Sequence, residues 1–232
     1  FALISLSDYI IPFFTDNSKT DDATKVTPGV ISSTEVTDYE NSFKILFTGD
    51  SILLEDQVRN AYDGSSYDFS DMFEYTTSYI SDADLAIGIL EGPLGGEEIG
   101  FTTSNYADGK SLYLNFPDEF AVAIKDAGFD VVSLSNNHLC DKGIDAAIRT
   151  QDVLDDIGLN YVGAYRNSED KANNNVEIIE QDGIRIAILS YPYGFNYYTD
   201  DDLFGGEVSY LSSFLTAPDN SMFETVKAGV IE

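Results

Sequence analysis

The one histidine of this chain, His138, closes a polar run of Ser135, Asn136, Asn137 and His138, and Asp141 stands three residues further on. An imidazole changes charge near neutral pH, and amide and carboxylate oxygens suit hard cations. Together these groups point to metal binding or to general acid–base work. The same residues also have an ordinary reading, in which Asn-Asn is turn chemistry and a lone histidine caps or packs. Two acidic groups occupy comparable places. Asp50 follows the apolar run FKILFT (43–48), and Glu91 follows LAIGIL (85–90). Taken singly, an aspartate at a strand end is as well explained by a helix cap. Their coincidence at three strand ends carries more weight than any one of them.

The runs at 43–48, 85–90 and 129–135 have the short, apolar character of buried strands, and 160–164 supplies a fourth. A brief strand is also expected at 112–116. Between them, helical spacing predicts helices over 53–62, 69–80 (with Asp68 and Ser70 as caps), 118–127 behind Pro117, 143–157 ending at Gly158, and 219–228 from Asp219. The segments 176–181 and 184–191 flank Asp182-Gly183, a strong hairpin signal. Strands alternating with helices imply an α/β fold whose largely parallel sheet is covered on both sides. Such sheets bind ligands beyond the carboxyl ends of their strands. Asp50, Glu91, Asn137 and His138 therefore share one predicted site, with Asn136 and Asp141 in support. Mn, Mg, Zn or Fe would suit these ligands, and a two-metal centre would turn a bridging water into hydroxide while His138 protonates the leaving oxygen.

Composition narrows the function classes. The chain has 232 residues and is 43% hydrophobic, enough for a filled core. Its 12 Lys and Arg against 41 Asp and Glu give a net charge of −29, which repels nucleic acid and attracts divalent cations. The single cysteine, Cys140, excludes an internal disulfide framework; a nucleophilic thiol with His138 as its base is a weak competing assignment. Residues 1–14 are apolar but too short for a span of about 20 residues, and they read as the remnant of an N-terminal anchor. Residues 15–42 read as a flexible acidic linker, and 43–232 as the folded domain. The glycine-rich stretch 92–109 matches neither phosphate-binding fingerprint and reads as a covering or flexible loop. The aromatic, acidic run after Tyr191 reads as a surface loop.

Five segments carry a resemblance: FKILFTGDSILL (43–54), LAIGILEGPL (85–94), AGFDVVSLSNNHLCDKGIDAAIRT (127–150), DIGLNYVGA (156–164) and GIRIAILS (183–190). They resemble CapA/PgsA-type proteins of poly-γ-glutamate capsule synthesis, which are related to calcineurin-like metallophosphoesterases. The resemblance implies a four-layer α/β/β/α metallophosphoesterase-like sandwich, incomplete at the C-terminus. It matches Asp50 to the first metal-site aspartate, Glu91 to the acidic residue after the second strand, Asn137 to a metal-binding asparagine and His138 to the acid. It further implies two divalent ions in the full-length protein and a single N-terminal membrane anchor with the domain facing outward. Its partners would be an anionic polymer or its precursors and other membrane subunits of a capsule complex, with no nucleic acid. The chain departs from the pattern in having Ile89-Leu90-Glu91 where the family has Asn-Leu-Glu. It also lacks the later histidine-bearing segments, and so reads as an N-terminal fragment. Two rival readings stand beside this one. The domain is a non-catalytic scaffold, which Ile89 favours, or a GDSL/SGNH serine esterase using Ser51, which would need a late Asp-x-x-His pair that the sequence does not contain.

Overall fold

Four apolar segments pair side by side in parallel: β1 (Ile45–Ser51), β2 (Leu85–Leu90), β3 (Val131–Ser133) and β4 (Asn160–Val162), in that order across the sheet. The computed structural model describes residues 43–213 apart from 107, 108, 110, 182, 204, 205 and 207. The stretches 1–14 and 15–42 and the helix expected over 219–228 lie outside the described residues. β2 is buried at every position but Ile89, as a central parallel strand covered on both faces must be.

The two faces of the sheet meet different partners. On one, Ala86, Leu90 and Val132 pack with Phe120, Ala121, Ile124, Ala147 and Leu154. These last come from α3 (Asp118–Asp126) and α4 (Ile144–Ile157), whose apolar residues recur at helical spacing. Between β1 and β2 run α1 (Glu55–Ala61), a 3-10 turn (Ser70–Phe73) and α2 (Thr77–Ile80). On the other face, Leu85, Ile87, Val131 and Val162 meet Ile186 and the half-buried Ile179 and Ile188. After α5 (Ser168–Asn174), these isoleucines lie on a hairpin of β5 (Glu177–Gln181) and β6 (Ile184–Ile188), and α6 (Asp200–Leu203) follows it.

The mixed α/β fold is thus as expected and consistent with a metallophosphoesterase-like architecture. Helices do not cover both faces among the described residues, because the hairpin forms a second sheet over one of them. The helix expected over 69–80 is broken. The hydroxyls of Thr76 and Thr77 both donate to the Phe73 carbonyl and compete with a continuing helix. Residues 112–116 form no strand. The Asn115 carbonyl accepts from Thr102 N–H, and Phe116 N–H donates to Pro93, so these groups are spent on neighbouring loops rather than on a ladder. The hairpin matches its signal, though Asp182 is outside the described residues. Gly158, at φ +67°, ends α4 as a C-terminal glycine should. Among the described residues, no helix is long and apolar enough to cross a membrane.

Candidate active site

β1 does not stop at Thr48 as the sequence suggests but continues through Asp50 to Ser51, with a bulge on the way. Phe47 pairs with Ile87 and Asp50 with Ile89, so β1 spends three steps where β2 spends two. Paired residues of neighbouring strands point to the same face, and side chains alternate along each strand. Without the bulge, Asp50 would point away from the face that carries Phe47, Ile87 and Ile89. The extra residue turns it to that face, to which alternation from Ile89 also assigns Glu91. The Glu91 N–H then donates to the Ser51 carbonyl at 3.0 Å, which carries the ladder one step beyond β2. Asp50 also borders an open cleft of about 390 Å³ lined by Gly49, Phe73, Thr76 and Tyr79.

The polar run after β3 folds into a turn stitched to the strand ends. The Asn136 side-chain amide donates to the carbonyls of Leu90 (2.8 Å) and Leu134 (3.3 Å), and its oxygen accepts from His138 N–H at 3.0 Å. Asn136 therefore anchors the loop against β2. It bears on the site through His138, whose backbone N–H it holds. The His138 ring lies against buried Asp141, with Nδ1 2.7 Å from Oδ2. That carboxylate oxygen also accepts from Leu114 N–H at 2.8 Å, and the other accepts from the Asn196 amide at 3.3 Å. A carboxylate partner places the ring proton on Nδ1 and leaves Nε2 as the working nitrogen. Asn137 donates its amide to Asn196 Oδ1 at 3.2 Å, and that bond does not use its own oxygen.

The electrostatics bind these groups into one cluster. Burial raises the Glu91 pKa, and the neighbouring Asp50 carboxylate raises it further, while His138 pulls it down. Burial opposes charge on His138, but Asp141, Glu91 and Asp50 outweigh it and the imidazole pKa rises. Both shifts mean that the folded chain binds more protons than the unfolded one above the ordinary values of 4.5 and 6.5. Stability must then fall as the pH rises through each window. Denaturant unfolding across this range, without added divalent metal, is expected to show that decline. Glu91→Gln is expected to flatten its lower limb, and a stability that climbs between pH 4.5 and 8 would contradict the arrangement.

Whether these residues suit a metal ion can be read from the donors. Among the described residues, no three His, Cys, Asp or Glu side chains are grouped to hold one ion. Asp50 and Glu91 with the Asn137 oxygen are an oxygen set of the kind that holds a hydrated magnesium or manganese ion through one or two carboxylates. His138 and Asp141 are committed to each other. The donors present therefore fit one hydrated cation better than a closed cage. The Cys140 thiol is buried in the core, and desolvation raises its pKa strongly, so it is inert as a nucleophile. Ser51 makes no hydrogen bond to His138 among the described residues, which leaves the serine of an esterase without its base.

One residue of the site was not anticipated. Asn196 lies in the stretch read as a surface loop, yet its backbone N–H donates to the Asn137 carbonyl at 2.8 Å and its side chain meets His138, Asp141 and Asn137. Pro192, Gly194 and Phe195 beside it are buried. The apolar residues among the tyrosines were the available signal, and the three aspartates that follow masked it.

Residues 44–221 match the profile of a protein family described as bacterial capsule synthesis protein PGA_cap. The capsule biosynthesis protein CapA of Bacillus anthracis is 30% identical over 140 residues, which is 60% of this chain. That alignment takes in only 31% of the relative's length.

Proposed function

Since the chain belongs to the PGA_cap family of bacterial capsule synthesis proteins, we propose that it works on an anionic capsule polymer, such as poly-γ-glutamate, or on its precursors. In this reading it is a membrane-anchored domain that faces outward among other membrane subunits of a capsule complex, and it hydrolyses its substrate with the help of a divalent cation. The observation that carries the reading is the convergence of Asp50, Glu91 and the His138–Asp141 pair at the ends of three adjacent parallel strands. Asp50, Glu91 and the Asn137 oxygen would hold the cation. When bound, such an ion polarises a phosphoryl or acyl oxygen and lowers the pKa of a bound water. His138 donates a proton from Nε2 to a leaving oxygen, Asp141 fixes the tautomer, and Asn136 and Asn196 hold the loop in place. A surface of net charge −29 repels a polyanion, and cations gathered at the carboxylates offset that repulsion.

Calorimetric titration of the full-length protein with magnesium or manganese tests this reading. The wild type is expected to bind, and Asp50→Ala to lose about 100-fold or more in affinity. Equal binding by both, or none by either, would remove the metal-dependent reading. The non-catalytic scaffold would then stand, a role favoured by Ile89 opposite Asp50 and by the lack of a third acidic or histidine ligand among the described residues.

A further inference from the structure

Three loops meet just outside Asp141. Tyr113 precedes Leu114, whose N–H donates to the Asp141 carboxylate. Lys142 follows Asp141, and its ammonium sits 4.0 Å above the centre of the Tyr113 ring. Tyr197 follows Asn196, stands edge-to-face with Tyr113 at 5.7 Å and donates its hydroxyl to the Leu112 carbonyl at 3.2 Å. Tyr197 is the one non-glycine residue with positive φ (70°) among the described residues. That strained backbone, tolerated where the surroundings hold it, turns Asn196 inward to the histidine pair and its neighbour outward. Both rings are exposed, Tyr113 at 46% and Tyr197 at 65%, as are other tyrosines of this chain. These two differ in standing against each other beside the histidine pair, where their faces offer one apolar surface to a ligand.

The cation at this place differs from the others in what surrounds it. Lys44, Arg59, Arg149 and Arg166 each pair with aspartate or glutamate, and Lys125 and Lys171 donate to backbone carbonyls. Lys142, like Lys125, Lys171 and Arg185, makes no carboxylate pair among the described residues, and its ammonium lies over a ring instead. Its carboxylate neighbour, Asp141, is already engaged by His138, Leu114 and Asn196. A cation held over a ring in a strongly acidic molecule, next to the histidine pair, is placed to receive an anion.

We propose that Tyr113, Lys142 and Tyr197 form a recognition rim for a flexible, carboxylate-bearing chain. The Lys142 ammonium pairs with a carboxylate, and the two phenol rings pack on the methylene stretch beside it. The assignment rests on the polymer reading above and adds to it the residues that would recognise the chain. Rim contacts then set which segment of the chain is presented to His138.

Calorimetric titration of the full-length protein with a γ-linked glutamate oligomer, in the presence of magnesium, tests the rim. The wild type is expected to bind with an affinity that falls as salt is raised. Lys142→Gln is expected to weaken binding about five- to tenfold, as loss of a partly desolvated ion pair implies, while Lys142→Arg retains it. Magnesium affinity is expected to be the same in Lys142→Gln as in the wild type. Oligomer affinity that is equal in wild type and Lys142→Gln, or absent from both, overturns the rim. A failure of the cation reading shows separately, as magnesium affinity that does not respond to Asp50→Ala.

Discussion

Asp141→Ala is expected to cost about 3 kcal/mol of unfolding free energy and to lower the His138 pKa from its raised value. The carboxylate is buried and accepts from the His138 ring, from the Leu114 backbone and from the Asn196 amide. Removing one partner of a buried charged pair costs roughly 3–5 kcal/mol, because the remaining donors keep the cost of desolvation and lose their acceptor. Burial opposes a charged imidazole and the largest effects that favour one come from Asp141, so its loss lowers the pKa. The measurement is unusually clean. His138 is the one histidine in the sequence, so a single imidazole resonance reports the titration in proton NMR. Denaturant unfolding reports the stability. Asp141→Asn keeps one acceptor oxygen and is expected to lose less stability while still lowering the pKa. A variant with wild-type stability and an unchanged titration would show that the pair neither holds the loop nor tunes the ring.

Gly163→Ala is expected to destabilise the fold by about 3 kcal/mol or more. Gly163 leaves β4 with φ at +85°, and a methyl group there would lie 1.9 Å from Ser135 Oγ, 2.9 Å from Ser135 Cβ and 3.1 Å from Ser190 Cβ. A positive φ is costly for alanine, and overpacking adds roughly 1–3 kcal/mol when neighbours have no room to yield. Ser135 opens the loop that carries Asn136, Asn137 and His138, so relief of the clash would shift the site. The Gly163 carbonyl also accepts from the Ser135 and Ser212 hydroxyls, which ties the loop to β4. Thermal and denaturant unfolding measure the loss. Ser135→Gly in the same chain removes the clash but not the backbone strain, so the double variant is expected to recover part of the stability. A fully stable single variant would mean that β4 and the loop do not approach so closely.

Much of the frame is legible in the residues themselves. LAIGIL reads as a strand because it is apolar throughout and too short for a helix, and it occupies Leu85–Leu90. The helix at Ile144–Ile157 follows from its periodic apolar face and from the glycine that ends it. Asp182-Gly183 announces the hairpin. These features rest on local chemistry: side-chain period, turn conformation, and the absence of a left-handed penalty at glycine. The failures are non-local. The extended run at 112–116 looks like a strand, but its backbone is spent on Thr102, Pro93 and Asp141. Residues 69–80 have helical spacing, but threonine hydroxyls take up the Phe73 carbonyl.

For the site, residue types alone determined which groups were candidates: two acids at strand ends, an Asn-His pair and an aspartate one helical turn beyond it. Tertiary structure decided what each of them does. An extra residue in β1 brings Asp50 to the face of Glu91, and alternation along a strand cannot reveal such an insertion until its partner is known. Asp141 became the partner of the histidine ring rather than a distant support. Asn196 reached the same pair across 58 residues of chain. Hydrogen bonds are short-ranged and indifferent to separation in sequence, so only the folded path of the backbone settles which polar atoms meet.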